Sequence, residues 1–298
     1  MGTRRWRLVT LVVAAQALGV AVTTPAAPLP AWSELSLTAH KFSARAAITV
    51  RASVVTARDV APLLLRTAAA TVVRPIGAEL LLLESTATFE RWVFDERLWV
   101  DPLTGAGLQI TDTETGSKNL YRAFRLLTRG FLVEQREPAT PGEAALSPER
   151  WTAVERAASS YPPSVSPGTV VTGALNVLCS PQLTRLSREG DSTSFVILAQ
   201  RQIEQVTVTV EKATTVPVDF VEVGSSPSLH IGGKVAALVL TMVSHPLEPE
   251  TSPSFRLFGL EHGLTVLWEP TRRIPLELSG RIHLLGEVTV TLERVKTD

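Results

Sequence analysis

The sequence contains a single cysteine, Cys179, among its 298 residues. One thiol excludes an internal disulfide and any metal site built from four cysteines. Neither charge sign is in excess, because 29 basic residues face 29 acidic ones. A nucleic-acid-binding protein needs a basic surface to replace counterions, so this balance argues against nucleic-acid partners. Aromatic residues are also few, at 6%, whereas apolar residues reach 45%, enough to build a large core.

Recognisable catalytic and metal-binding motifs are missing too. The chain has no G-x-S-x-G elbow, H-E-x-x-H helix, phosphate loop or C-x-x-C pair. Five histidines are scattered without the spacing of metal ligands: His40, His230, His245, His262 and His283. The acid pairs Asp95-Glu96 and Glu248-Pro249-Glu250 fall in predicted loops and are expected to be solvated. The neighbours Glu261-His262 would point to opposite faces in a strand and could cooperate only in a turn. The sequence therefore predicts no catalytic residue, no metal and no cofactor, and an apolar run predicts that Cys179 is buried.

The first residues have the layout of a secretory signal peptide. Arg4, Arg5 and Arg7 precede an uncharged apolar stretch, and small residues and prolines follow it. We therefore assign residues 1–27 to a signal peptide, with cleavage between residues 26 and 31. An uncleaved N-terminal anchor is the alternative, although the apolar stretch is shorter than the ~20 residues of a membrane span. Cleavage predicts an exported protein, periplasmic or extracellular, without an integral membrane span and with a slightly acidic net charge.

Alternation of apolar and polar residues dominates the rest of the chain. Residues 44–54 are typical of a strand with one buried and one solvated face. Turn residues such as Pro102 and Gly105 recur every 8–12 residues, as in antiparallel meanders, sandwiches and barrels. We predict a mainly β fold over residues 32–298, in the form of a curved antiparallel sheet, an open barrel or a sandwich.

The middle of the chain has a different composition. Residues 138–168 form a predicted connector, which leaves open whether the single β domain divides into two halves. Ser147 and Pro148 form a typical helix start, which predicts one short helix near 148–159. Residues 169–178 fit either a strand or a short helix by periodicity.

The last 45 residues resemble a family of exported bacterial β proteins of unknown function. The matching segments are 258–260, 267–269, 272–278, 280 and 286–292, with fainter matches at 99–105 and 121–122. The resemblance implies a curved antiparallel sheet or open barrel, and related shapes carry lipids or lipoproteins across an envelope space. It implies no functional residues.

Candidate binding residues come from the few aromatic side chains. Trp92, Phe94 and Trp99 lie close together and Trp268 lies near the C-terminus. They are either core residues or the wall of an apolar cavity on a concave sheet face. A buried alkyl chain contributes about 0.8 kcal/mol per methylene, so such a site needs no polar motif.

The hypothesis favoured by the sequence is a non-enzymatic exported protein that binds an apolar small molecule, a lipid or an envelope protein. The alternative is an envelope hydrolase with an unrecognised Asp/Glu/His site. A third hypothesis, an outer-membrane barrel, is disfavoured because the chain has only two tyrosines and ends in polar residues.

Overall fold

The computed structural model describes residues 29–41, 44–67, 71–116, 118–224, 227–282 and 285–297. The predicted signal peptide and His283 lie outside the described residues. None of the helices in these ranges has the length and apolar character needed to span a bilayer.

Strands make up most of the described chain, as the sequence predicts. They are β1 (Glu34–Lys41), β2 (Ala44–Thr56), β3 (Glu79–Phe89), β4 (Trp92–Val100), β5 (Gly107–Thr115), β6 (Leu120–Leu127), β7 (Gly130–Glu137), β8 (Ala153–Ser160), β9 (Val171–Thr172), β10 (Ser192–Ala199), β11 (Gln202–Val223), β12 (Leu229–Pro246), β13 (Glu261–Glu269), β14 (Ile274–Ile282) and β15 (Gly286–Lys296). The two short α-helices are α1 (Ala57–Val60) and α2 (Leu175–Cys179). Single 3-10 turns occupy Ala61–Leu63, Glu143–Ala145, Pro148–Arg150 and Pro181–Arg185.

All fifteen strands belong to one sheet, in the order β8-β7-β6-β5-β4-β3-β2-β1-β15-β14-β13-β12-β11-β10-β9. Strands β1 to β8 form a meander of antiparallel neighbours, as expected. The sheet is mixed rather than wholly antiparallel, because β9 pairs with β10 and β15 pairs with β11 in parallel. The second of these pairs joins Val221–Val223 to Arg294–Lys296 and closes β11 to β15 into a five-stranded ring.

One large apolar cluster connects the ring to the meander. In the meander it includes a row of facing residues that crosses five strands from β3 to β7: Leu83, Leu98, Ile110, Phe124 and Val133. We call the face that carries this row the inner face, and the opposite face the outer face. Because side chains alternate along a strand, this row assigns the neighbouring meander residues to one face or the other.

The segment between β9 and β10 covers part of the inner face. Every residue of α2 is buried, and Gly173 packs so closely that an added Cβ would lie 3.0–3.1 Å from Leu98 and Ile110. The segment that periodicity left ambiguous therefore contains both a strand, β9, and a helix, α2.

The predicted helix near 148–159 is wrong. Pro148–Arg150 makes only a 3-10 turn, and Ser147 provides no side-chain cap. The following residues form strand β8, which pairs with β7 along its whole length. All eight β8 residues are exposed, so no apolar periodicity marks the strand, and its main-chain pairing with β7 outweighs the local helix-start chemistry.

A strap, residues 57–67, folds over the outer face of the meander. Val60 packs with Trp99 and Leu108 in a second, smaller apolar cluster. The buried amide of Gln109 accepts a hydrogen bond from Leu65 N at 2.7 Å and donates to Leu63 O at 3.3 Å. These two bonds satisfy the buried amide and hold the strap against the sheet.

Candidate functional site

A cavity of about 840 Å³ lies where one end of the meander meets α2 and β10. We call it the end cavity. Its apolar wall includes Leu81, Val100 and Phe195, which belong to the main core. Three more large apolar residues of its lining are 40–44% exposed: Leu29, Leu103 and Val170. The cavity thus places apolar surface in contact with solvent at the boundary between the two parts of the sheet.

Charge is nearly absent from the end cavity. Only Arg185 and Asp191 carry charges among its lining residues, and Asp191 is occupied by hydrogen bonds from the main-chain N–H groups of Ser187 and Arg188. Cys179 also lines this space, and burial raises the pKa of its thiol to about 12. The thiol is therefore a buried wall group, as the sequence predicts, and it stays largely protonated in the folded state.

A second cavity, of about 870 Å³, lies on the outer face between the strap and residues 148–149. Its lining is much more highly charged. Glu134 sits there with Arg136 at 2.7 Å and Arg156 at 2.6 Å. Burial raises the pKa of Glu134, but the hydrogen bonds from both arginines outweigh it, and the net pKa is lowered.

A row of polar side chains crosses the inner face next to the apolar row. Glu96 on β4 faces Asp112 on β5, which faces Arg122 on β6. Arg122 Nε lies 2.8 Å from Asp112 Oδ1, and both side chains are about one-quarter exposed. Burial and the neighbouring Asp112 charge raise the pKa of Glu96 to about 8, against a weaker opposing effect of Arg122. Burial also raises the pKa of Asp112, although Arg122 opposes it.

The polar row corrects one sequence-based expectation. Asp95-Glu96 was expected in a solvated loop, but both residues lie within β4, and Glu96 is half-buried. The hairpin turn at Pro102 and Gly105 could have revealed the pair, because residues at equal distances from a turn face each other. The other acid candidates stay apart from this row: Glu250 and His262 are exposed, and Glu261 pairs with Arg256 at 3.0 Å.

The four aromatic candidates do not share one wall. Trp92 and Phe94 lie on the inner face, 38% and 40% exposed, and Trp92 contacts Phe89 with ring centroids 6.0 Å apart. Trp99 lies on the outer face, buried under the strap beside the second cavity. Trp268 is buried in the main core, in β13 of the ring. The odd spacing between Phe94 and Trp99 already separates their faces. Ligand binding by any of the four stays a prediction.

Clusters that could bind a metal ion are absent from the described ranges, where no three His, Cys, Asp or Glu side chains converge suitably. His230 forms a pair with Asp219 at 2.6 Å on an exposed stretch of hairpin. His40, His245 and His262 are also exposed.

No protein-family model matches the chain, and neither a curated protein nor a solved structure is significantly similar to it. The resemblance of the last 45 residues to exported β proteins therefore stays a prediction, and the functional argument rests on the geometry of this molecule.

Proposed function

We propose that the protein is an exported, non-enzymatic binding protein that takes up an apolar small molecule or the alkyl chain of a lipid in the end cavity. The observation that carries this proposal is the combination of about 840 Å³ of space, a wall in which apolar side chains alternate with uncharged Ser, Thr, Asn and Gln side chains, and only two charged lining residues. Apolar pockets of 300–1,000 Å³ are typical of small-molecule sites. Transfer of the exposed parts of Leu103 and Val170 from water supplies the driving force, since both residues lie beyond the predicted cleavage site.

A titration with a fluorescent fatty acid tests this proposal most directly. We expect saturable binding that unlabelled dodecanol displaces. Leu103→Arg should weaken binding more than about tenfold, because it places a charge where alkyl groups would be buried. Leu229→Arg is the matched control, since Leu229 is also exposed, at 59%, but is not part of the cavity lining.

The single thiol of the described chain offers an independent readout. Cys179 lines the end cavity but is buried, so iodoacetamide reacts with it mainly when the structure opens, and an alkyl chain bound to the folded state should slow this reaction. The rate would be measured at pH 9 with and without dodecanol, and in denaturant as the fully reactive reference. Three results together would contradict the proposal: an alkylation rate that dodecanol does not change, no binding of fluorescent fatty acid, and no lipid in organic extracts of the purified protein.

A second candidate function, an envelope hydrolase, is favoured by the facing carboxylates of Glu96 and Asp112. An acid–base pair needs two carboxyl groups with separated pKa values, and a raised pKa keeps Glu96 protonated near neutral pH. Exposed Trp92 and Phe94 lie on the same face and could hold a substrate. A panel of chromogenic esters and glycosides should then show turnover that declines above pH 8 and disappears in Glu96→Gln. Absence of turnover with every substrate counts against this function.

A further inference from the structure

Strand β8 forms one edge of the sheet and is open to solvent along its full length. Its eight residues, Ala153–Ser160, pair with β7 on one side. On the other side, no strand within the described ranges pairs with it. Every one of its residues is exposed, and five of the eight are Ala or Ser. The free side therefore presents a row of main-chain N–H and C=O groups with little side-chain cover.

The usual protections of an edge strand are largely absent from β8. It contains no proline, and its pairing with β7 runs from Ala153 to Ser160 without a bulge. The opposite edge of the sheet is different, because β9 has only two residues. Short edge strands discourage pairing with another chain, whereas long, regular ones favour it. Of the two edge strands, β8 therefore has the length and regular pairing that favour addition of a further strand, whereas β9 is too short.

We infer that β8 pairs antiparallel with β8 of a second copy of this chain, about a two-fold axis at Ala157, so that two sheets join into one. A two-fold axis makes the contact self-complementary and closes it at two copies. The partner is a second copy because the same strand supplies the complementary edge, and its charges permit a long register.

The register follows from sheet geometry and charge. Residues that face each other in an antiparallel pair point to the same side of the sheet, so the axis must pass through a residue. An axis at Glu155 would place two carboxylates opposite each other, and an axis at Arg156 would place two guanidinium groups opposite each other. An axis at Ala157 avoids both and pairs residues 154–160 with 160–154 of the partner.

In this register each charged residue faces a small neutral one. Glu155 lies opposite Ser159 of the partner subunit, and Arg156 lies opposite Ala158 of the partner subunit. Arg156 keeps its ion pair with Glu134 of its own chain, at 2.6 Å, which reduces repulsion between the two diagonally related guanidinium groups. Axes at Val154 or Ala158 also separate the charges, but they pair fewer residues of the strand.

Analytical ultracentrifugation over a wide concentration range tests the proposal. We expect the wild type to sediment as a dimer at high micromolar concentration. Ala157→Lys should shift the equilibrium at least about tenfold toward monomer, because it places two ammonium groups at the axis. Ala157→Ser is the matched control and should dimerise like the wild type. Circular dichroism and the melting temperature would show that both variants retain the monomer fold.

Cysteine scanning along residues 153–160 tests the register. Under mild oxidation, Ala157→Cys should give the most disulfide-linked dimer, and Ala153→Cys should give little. Native Cys179 is buried and provides a silent background. Any one of three results would overturn the proposal. The chain could sediment as a monomer at all concentrations, the dimer could be unaffected by Ala157→Lys, or the cross-linking yield could peak away from residue 157.

Discussion

The meander and the ring differ in where their buried carboxylates lie along the strands. In the strands of the ring, the buried carboxylates lie near strand ends, where Glu204 and Glu269 accept hydrogen bonds from adjoining loops. In the meander, the buried carboxylate of Glu134 lies within strand β7, away from the strand ends. A closed ring has no free side from which water can reach its interior, whereas the meander ends in an open edge. The meander is therefore the part whose strands carry a buried carboxylate away from their ends.

The largest effect should come from truncating the ring interior. Leu278 is fully buried and faces Val266 and Val290 on the neighbouring strands. Leu278→Ala should lower the free energy of unfolding by about 3–5 kcal/mol, because the cavity it leaves cannot collapse. Leu120→Ala in the meander is the matched variant and should cost less, since Leu120 belongs to neither apolar cluster. Equilibrium denaturation in urea measures both free energies of unfolding, and equal losses of stability would show that membership of the main apolar cluster does not decide the cost.

Removing the charge of Glu204 should have the next largest effect. Its carboxylate accepts hydrogen bonds from Ser254 N at 2.6 Å, Ser254 Oγ at 2.7 Å and Gln202 Nε2 at 2.5 Å, and also from Ser244 Oγ. Burial raises the pKa of Glu204, but these bonds outweigh it and the net pKa is lowered. Glu204→Gln should cost about 2–3 kcal/mol at pH 7.

The pH dependence of stability tests whether the stability lost in Glu204→Gln comes from the charge of the carboxylate. A carboxyl group with a lowered pKa in the folded state stabilises the fold above its unfolded pKa, and this contribution disappears as the pH falls through the folded pKa. The stability difference between wild type and Glu204→Gln should therefore shrink below about pH 4. A difference that is constant down to pH 2 would point to packing rather than charge.

Loosening the strap should produce a smaller and more local change. Gln109→Ala removes both hydrogen bonds to Leu63 and Leu65 and should cost about 1–2 kcal/mol. We expect faster hydrogen exchange in residues 57–67 and faster tryptic cleavage at Arg66, with little change in the ring. Exchange that increases equally in both regions would show that the strap and the ring unfold as one unit.

An effect of opposite sign, a gain in stability that grows with pH, is expected for Glu96→Gln. Because the folded pKa of Glu96 is raised to about 8 from an ordinary 4.5, wild-type stability should fall as the pH rises between these values. The variant should lack this decline and melt at a higher temperature than the wild type at pH 9. Melting temperatures of wild type and variant from pH 4 to pH 9 measure this difference. Parallel curves of melting temperature against pH would contradict the raised pKa of Glu96.

Part of the candidate site was accessible from the sequence and part was not. Even spacing puts Trp92 and Phe94 on one face and places Trp99 on the other, so their separation follows from strand geometry alone. The end cavity has no such local origin. Leu81 and Val100 face each other on the consecutive strands β3 and β4, but Phe195 belongs to β10, far along the chain, and only tertiary packing brings it to them. No spacing rule within one strand could have found that arrangement.

The sequence by itself determined that this chain folds as strands, because alternation of apolar and polar residues specifies which side chains each strand buries. The tertiary structure alone decided which strands pair and in what register. It made residues 153–160 an edge strand despite a typical helix start, and it closed β15 on β11 through a parallel contact. The physical reason is that period-two patterning selects a face but carries no information about the partner strand. That choice depends on main-chain hydrogen bonds and core packing between residues distant in sequence.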